Sequence, residues 1–272
     1  NIINPQIIYA RVENASSGCY DVAEVILKVN QLPVITLDES YRLCVDQNGL
    51  PIASEEGAAS PPVIDTGLDD ALYSFEWSID GVVQVGETGA SIIATTGGVY
   101  QATITQLSSG CQTAVSTTVT VSQAPVTWSF NLLNGAFADN HSVEILAEGL
   151  GEYVYSIDGG PFQDSNVFDN VSPGVHTITI KDANGCGQVS FDIGVVDYPN
   201  YFTPNNDGYH DTWNIIGIAE FDPGANIYIF DRYGKLLKQI SPLTPGWDGT
   251  YNGNALPSSD YWFRVEYTEQ GI

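Results

Sequence analysis

Hydrophobic and polar residues alternate along many short segments of this chain. Residues 176–180 read His-Thr-Ile-Thr-Ile and are followed by an Asn184-Gly185 turn, and residues 116–121 are rich in β-branched side chains. Such runs between turn residues predict β-strands. No window shows helical periodicity with caps, and 27 Gly and 14 Pro interrupt the chain every few residues. The pattern predicts an all-β protein built from sandwiches or barrels.

The strands recur as a repeat: an alternating strand, a Gly-Cys turn, a second alternating strand and then a proline. The turns are Gly18-Cys19, Gly110-Cys111 and Gly185-Cys186, and the spacings from Cys to Pro are 14, 14 and 13 residues. A repeated hairpin predicts tandem immunoglobulin-like β-sandwiches. The expected domains are the closing hairpin of a truncated repeat at 1–33, a full repeat at 34–124, a shorter one at 125–197 and a different domain at 198–272.

Composition supports the last boundary. Residues 198–272 hold 15 of the 30 aromatic residues, with 9 acidic and 4 basic residues, whereas the whole chain has a net charge of -25. So acidic a surface repels phosphate backbones and anionic lipid, which argues against nucleic-acid or membrane-surface partners. No apolar run approaches the roughly 20 residues of a membrane-spanning helix.

The cysteines suggest one disulfide. Cys44 and Cys111 flank Trp77 in the predicted 34–124 domain, and a Cys, Trp, Cys order suits an immunoglobulin-like sandwich. We therefore expect a Cys44–Cys111 disulfide that stabilises the fold by about 4 kcal/mol; two buried free thiols are the alternative. Cys19 and Cys186 are expected to be unpaired, with the partner of Cys19 lying upstream.

Four blocks in the terminal region carry a family resemblance. They begin with Tyr-Phe-Thr-Pro-Asn-Asn-Asp-Gly-Tyr-His-Asp-Thr-Trp and occupy residues 201–213, 227–237, 246–253 and 256–265. In this order they resemble the gliding-motility-associated C-terminal domain of Bacteroidetes proteins, which is the type B sorting domain of type IX secretion. Residues 155–160 and 181–186 are similar to the immunoglobulin-like repeats of SprB-type gliding adhesins.

The resemblance implies a destination and partners. It implies export across the outer membrane by the type IX translocon, and a PorP/SprF-type outer-membrane barrel protein that keeps the cargo at the cell surface. Members of the family continue after the Trp262 strand with a turn and a last strand that ends in a basic residue. This sequence stops at Gln270-Gly271-Ile272, so we expect a trimmed sequence or a missing strand.

Two polar groups of the terminal domain are candidate sites. Asn205, Asp207 and Asp211 place side-chain oxygens at short intervals around a glycine, as calcium loops do; an Asx-rich turn is the alternative. The basic residues of one hairpin are candidates for docking to the secretion machinery, against the alternative of a solvated hairpin tip. They are Arg232, Lys235 and Lys238.

The terminal aromatics Trp213, Trp247, Tyr251 and Trp262 are expected to form a core rather than a sugar-stacking platform. An enzyme is not expected, because the three His residues (141, 176 and 210) lie outside any hydrolase, metalloprotease or P-loop motif. The predicted function is the C-terminal segment of a large surface adhesin or gliding-motility protein, whose repeats act as a stalk. A calcium-assisted polysaccharide-binding module is the alternative.

Overall fold

The computed structural model describes residues 5–30, 32–55, 60–220 and 222–268. Throughout these ranges the regular structure is β, with no helix, which confirms the predicted all-β fold of sandwich-like domains. Within the same ranges there is thus no helix with the length and apolarity needed to cross a membrane. The sequence end at Gln270–Ile272, where a last strand was in question, lies outside the described residues.

Twenty strands follow one another along the described chain. The first ten are β1 (Gln6–Glu13), β2 (Tyr20–Leu27), β3 (Ser40–Cys44), β4 (Val63–Asp65), β5 (Tyr73–Ile79), β6 (Val82–Val83), β7 (Ser91–Ile93), β8 (Gly98–Gln106), β9 (Gln112–Ser122) and β10 (Thr127–Leu132). The others are β11 (Ser142–Glu148), β12 (Tyr153–Ile157), β13 (Val167–Asp169), β14 (Gly174–Asp182), β15 (Gln188–Val195), β16 (Asn226–Phe230), β17 (Leu236–Ile240), β18 (Thr250–Tyr251), β19 (Asn254–Ala255) and β20 (Trp262–Glu266).

The chain divides into two compact units. The first comprises residues 1–43 and 59–120, and the second comprises residues 44–58 and 121–272. The boundaries predicted at residues 33, 124 and 197 are not tested by this division and stay predictions.

The first unit contains the β4-β7 pair, the separate β1-β2 hairpin and most of a five-stranded sheet in the order β3-β9-β8-β5-β6. The last residues of β3 and β9, which are Cys44, Val121 and Ser122, belong to the second unit. Alternate residues of β5 and β8 are buried, including Phe75, Trp77, Tyr100, Ala102 and Ile104. This period-2 burial is what the alternating sequence predicts, because successive side chains of a strand point to opposite faces. The indole N–H of Trp77 donates to the carbonyl of Gly89 at 2.9 Å, so this buried ring leaves no polar group unpaired.

A tyrosine corner marks the immunoglobulin-like character of this unit. The Tyr100 hydroxyl donates to the carbonyl of Thr96 at 2.9 Å, four residues upstream, which is the arrangement found at the start of strand F in such domains. In the second unit His176 occupies the corresponding place, since its Nε2 lies 2.7 Å from the carbonyl of Ser172, also four residues upstream. Each of the two domains therefore has an equivalent corner, formed by a tyrosine in the first and by a histidine in the second.

Replacing Tyr100 by Phe is expected to destabilise the first unit by about 1 kcal/mol, because the part-buried hydrogen bond from its hydroxyl to the carbonyl of Thr96 is lost. Thermal unfolding followed by circular dichroism measures the change. Tyr9→Phe is the matched control, since the Tyr9 side chain is 67% exposed. Equal unfolding temperatures for the two variants would contradict the role of the corner.

The described part of the second unit has two hydrophobic cores. The first lies between the β10-β11-β13 and β12-β14-β15 sheets and is built from Val143, Ile145, Tyr155, Phe168, Val171, Ile178, Ile180, Ile193 and Val195. The second accompanies the β17-β16-β20 sheet and the β18-β19 pair and contains Val196, Trp213, Ile215, Ile218, Ala225, Ile227, Ile229, Ile240 and Trp247. Phe137, from the loop between β10 and β11, also packs against this second core.

Candidate functional site at the domain junctions and in the C-terminal domain

Cys44 is disulfide-bonded to Cys186, and their Cα atoms are 5.1 Å apart. Both residues are only 2% exposed. The predicted Cys44–Cys111 disulfide is therefore wrong, and so is the expectation that Cys186 is unpaired. Cys111 and Cys19 form no disulfide in the described chain.

The geometry of β9 explains the correction. The carbonyl of Tyr41 accepts a bond from Thr120 and the N–H of Val45 donates to Ser122, so β3 runs in the same direction as β9. Cys44 therefore lies beside the end of β9, whereas Cys111 directly precedes its first residue. The 11 residues of β9 span roughly 33 Å, but a disulfide requires Cα atoms within about 7 Å.

Hydrogen bonds fix the junction around the disulfide. The Asp182 carboxylate is fully buried and accepts bonds from the Ser122 hydroxyl at 2.9 Å and the Cys186 N–H at 3.0 Å through the same oxygen. Its other oxygen accepts the N–H of Glu152 at 3.1 Å. A buried carboxylate is tolerated only when its oxygens are paired in this way, so Asp182 holds the turn that carries Cys186 against the end of β9.

A second junction in the same unit has the same backbone plan. The N–H of Phe137 donates to the carbonyl of Val196 at 3.2 Å, as the N–H of Val45 donates to that of Ser122 at 3.0 Å. Both carbonyls lie three residues before a proline, and the residues before the two donors, Ala136 and Cys44, each lie eleven residues after a proline. Ala136 is therefore the counterpart of Cys44.

Aromatic packing takes the place of the disulfide at this second junction. The Phe137 ring lies 5.9 Å from Tyr198 and 5.8 Å from Phe263, and Phe263 lies 5.0 Å from Trp213. His141 adds a contact of 3.2 Å between its Nε2 and an oxygen of Asp197. Ring pairs at such distances stabilise beyond their buried area, so residues 136–141 are attached to the C-terminal aromatic core.

Two tryptophans form the centre of the C-terminal domain. Trp213 and Trp247 form a backbone bridge with bonds of 2.9 and 2.8 Å, and they are 8% and 2% exposed. Their indole N–H groups donate to the carbonyls of Pro199 and Thr250. The expectation that these aromatics form a core is confirmed for both, but it is wrong for Trp262, which is 66% exposed.

An aromatic groove opens next to this core. It has a volume of about 650 Å³, and its lining includes Tyr201, Phe202, Trp247, Tyr261 and Trp262. The ring centres of Phe202 and Tyr261 lie 5.4 and 5.0 Å from that of Trp247, so two side chains that line the groove pack directly on the core. A groove of this kind suits an apolar side chain or a flat ring.

The predicted calcium residues lie in one exposed loop whose oxygens bind the loop's own donors. Both oxygens of Asp211 accept backbone N–H bonds, from Asn206 at 2.6 Å and Gly208 at 2.7 Å. The Asn205 amide and the Tyr209 N–H donate to Asp207 and hold the pKa of that carboxyl below its usual value. The described residues contain no group of three or more His, Cys, Asp or Glu side chains arranged to hold a metal, and calcium binding by this loop stays a prediction.

The three predicted docking residues all lie on the β16–β17 hairpin and are exposed. The turn is closed by Asp231, whose carboxylate accepts the N–H groups of Tyr233 and Lys235 at 2.8 and 2.9 Å. Arg232 donates to the Ser259 hydroxyl, and the Lys235 Nζ lies 4.3 Å from the centre of the Tyr251 ring. The pKa of Asp248 is lowered mainly by two hydrogen bonds from Thr250, and the charge of Lys238 adds to this effect. Their docking role stays a prediction.

Asp182, Ala136 and Phe137 are the junction residues that the sequence reasoning missed. A signal was present, because Ala136 and Cys44 share their distance from a proline. Comparing the two repeats position by position, rather than seeking a disulfide within one repeat, would have identified the junction position.

Comparisons with known proteins assign both ends of the chain. Residues 196–272 match the model of the CHU_C type IX secretion signal domain, and residues 1–33 match that of the Flavobacterium inter-domain disulphide bond domain. The predicted resemblance to a type IX sorting domain is therefore confirmed. No curated protein has a significantly similar sequence.

Three solved structures align with the chain. The N-terminal domains of the bacteriophage RB49 outer capsid protein Hoc are 11% identical, with 97% of this chain and 87% of that chain covered and a TM-score of 0.27. The S-layer protein rSbsC is 13% identical, with coverages of 97% and 44% and a TM-score of 0.27. Extracellular domains 3–5 of Drosophila OTK are 15% identical, with coverages of 76% and 90% and a TM-score of 0.21. At these TM-scores no functional conclusion follows.

Proposed function

We propose, from the premise that residues 196–272 carry a type IX secretion signal domain, that this chain belongs to a cell-surface adhesin or gliding-motility protein. The signal directs the protein across the outer membrane to the surface or the extracellular space. The match of residues 196–272 is the observation that carries the proposal. In the proposed protein, the immunoglobulin-like domains act as a stalk, and the C-terminal domain directs export and anchors the chain at the surface.

Junctions that resist separation support the stalk role. The Cys44–Cys186 disulfide and the buried Asp182 bonds tie the end of one strand to the turn of a later hairpin. A covalent bond of this kind persists in oxidising compartments outside the cytosol. The match of residues 1–33 to an inter-domain disulphide family leads us to extend the same role to Cys19.

The proposed function is non-enzymatic. The His side chains occupy structural contacts: His141 faces Asp197, His176 binds the carbonyl of Ser172, and the His210 ring lies 5.4 Å from that of Tyr201. The His176 Nδ1 lies 2.7 Å from Asp158 and its Nε2 lies 3.4 Å from the Ser172 hydroxyl. Because the same Nε2 lies 2.7 Å from the Ser172 carbonyl, it donates there and is not free to accept a proton from the hydroxyl. Support for this part of the proposal comes from these contacts together with the secretion signal.

The proposed surface for the type IX machinery, including a PorP/SprF-type barrel partner, is the basic β16–β17 hairpin. It carries three of the 8 basic residues in a chain of net charge -25, so it stands out electrostatically. Exposed charges of this kind govern encounter and orientation with an acidic partner. Arg232, Lys235 and Lys238 are the residues in question.

Reversing these three charges to Glu is expected to reduce the surface amount of the protein by about tenfold, because three exposed ion pairs at about 0.5 kcal/mol each give about 1.5 kcal/mol. Protease treatment of intact cells measures the surface amount. The control carries the same charge change at the exposed residues Arg11, Lys28 and Arg42 and is expected to export normally.

The wild-type chain in a strain without a working type IX translocon provides the reference level. Equal export of the two triple variants would overturn the docking surface alone. Wild-type surface display in the translocon-deficient strain would overturn the export route itself.

A further inference from the structure

The β1–β2 hairpin displays an apolar face to solvent. All residues of both strands are exposed. When the two hairpins are aligned at the residues that close their turns, Ile8, Ala10 and Val12 of β1 correspond to Tyr100, Ala102 and Ile104 of β8. The three residues of β8 are 0% exposed. The same face is thus a domain core in β8–β9 and is uncovered in β1–β2, which indicates that this hairpin completes a sandwich whose other strands lie elsewhere in the polypeptide.

The turns of the two hairpins are equivalent. In the first, the N–H of Asn14 donates to the carbonyl of Cys19 at 2.8 Å and the N–H of Gly18 donates to that of Asn14 at 2.9 Å. The second repeats these bonds from Gln106 to Cys111 at 2.9 Å and from Gly110 to Gln106 at 2.8 Å. Gly18 and Gly110 share a φ of 69°. The segments that follow have equal length too, since 14 residues separate each Cys from the next domain's proline.

The third hairpin shows what a cysteine at such a turn binds. Its closing pair is Asp182 with Gly187, so Cys186 lies one residue before the place that Cys111 takes in its turn. Cys186 is bonded to Cys44, at the end of β3, which is the first strand of the preceding repeat. The acceptor Cys44 lies eleven residues after the proline that opens that repeat.

We propose that Cys111 forms a disulfide with a cysteine at the end of the first strand of the domain that β1–β2 completes, upstream in the same polypeptide. From Cys44 to Cys111 is 67 residues, and from Ala136 to Cys186 is 50, which places the partner between 50 and 67 residues before Cys19. The inference goes beyond the proposed function, because it assigns a partner to Cys111 and gives that partner a position in the upstream domain.

The bond forms by oxidation of two thiols. Two protons and two electrons leave the Cys111 thiol and its partner, and they reduce the disulfide of a periplasmic thiol–disulfide oxidoreductase to its dithiol. Export across the outer membrane starts from the periplasm, where such oxidants keep thiols oxidised. Cys111 is half-exposed at its turn and is accessible to this exchange.

Non-reducing peptide mapping of the protein released from the cell surface tests the proposal. Free thiols are first alkylated, and the Cys111 peptide is expected to be joined to a peptide from upstream of Asn1, with a cysteine in the stated interval. Recovery of Cys111 in alkylated form, or joined to Cys19, would overturn the proposal. The wild-type map suffices even where a cysteine variant fails to fold.

A pair of variants sharpens the result. In Cys111→Ser the upstream cysteine is expected to become fully alkylated, since its partner is gone. In the matched variant Cys19→Ser that same cysteine is expected to remain protected, because Cys19 belongs to a different junction. Alkylation of the same upstream cysteine in both variants, or in neither, would contradict the assignment.

Discussion

Cells that produce the chain ending at Asp197 are expected to retain it in the periplasm, with a loss of nearly all surface display. The removed residues 198–272 make up almost the whole of the segment that matches the type IX secretion signal domain. A translocon that recognises a folded address has nothing to bind once the β17-β16-β20 sheet is gone. Cell fractionation together with antibody labelling of intact cells measures the distribution.

Misfolding of the truncated chain has to be separated from loss of the address. The truncation removes Tyr198 and Phe263, the two rings that contact Phe137, and an exposed ring invites aggregation. The same truncation with Phe137→Ser removes that ring and is expected to accumulate as a soluble periplasmic protein. Surface display of either truncated chain at the wild-type level would show that residues 198–272 are not the address.

The fold class could be predicted from the sequence because strand periodicity is a local property. Alternation in residues 176–180 and the Gly-Cys turns specify strands and hairpins without reference to any distant residue. The His176 corner illustrates the limit, since its equivalence to the Tyr100 corner is visible only once the bonds to Ser172 and Thr96 are known. Similar positions can hold different residue types when only the bond is required.

The disulfide could not be predicted because pairing depends on which strand ends meet. Cys44 and Cys111 lie on either side of Trp77 in sequence, but the direction of β3 along β9 places them at opposite ends of a strand. Sequence order carries no information on that direction. The terminal aromatics show a related limit. Trp262 and Phe263 are adjacent in β20, and because successive side chains of a strand point to opposite faces, Phe263 packs against the core and Trp262 faces solvent. Which of the two faces meets the core depends on the packing of the whole domain.

Removing the Cys44–Cys186 disulfide is expected to destabilise the second unit by about 3–5 kcal/mol. The bond closes a loop with a sequence separation of 142 residues, and chain entropy sets a ceiling of about 5 kcal/mol for such a loop. The bonds of Ser122 and Cys186 to Asp182 remain, so part of the junction persists and the loss falls below that ceiling. A change of this size lowers the unfolding temperature by roughly 10 °C for a unit of this length.

Differential scanning calorimetry of the Cys44→Ser, Cys186→Ser double variant measures this loss, with the two units resolved as separate transitions. The control is the double variant Cys19→Ser, Cys111→Ser of the same 272-residue chain, which removes two thiols that form no disulfide in the described structure. Reductant is expected to lower the transition of the wild-type second unit to that of the first variant and to leave the variant unchanged. A double variant that unfolds at the wild-type temperature would mean that hydrogen bonding at Asp182 alone holds the junction.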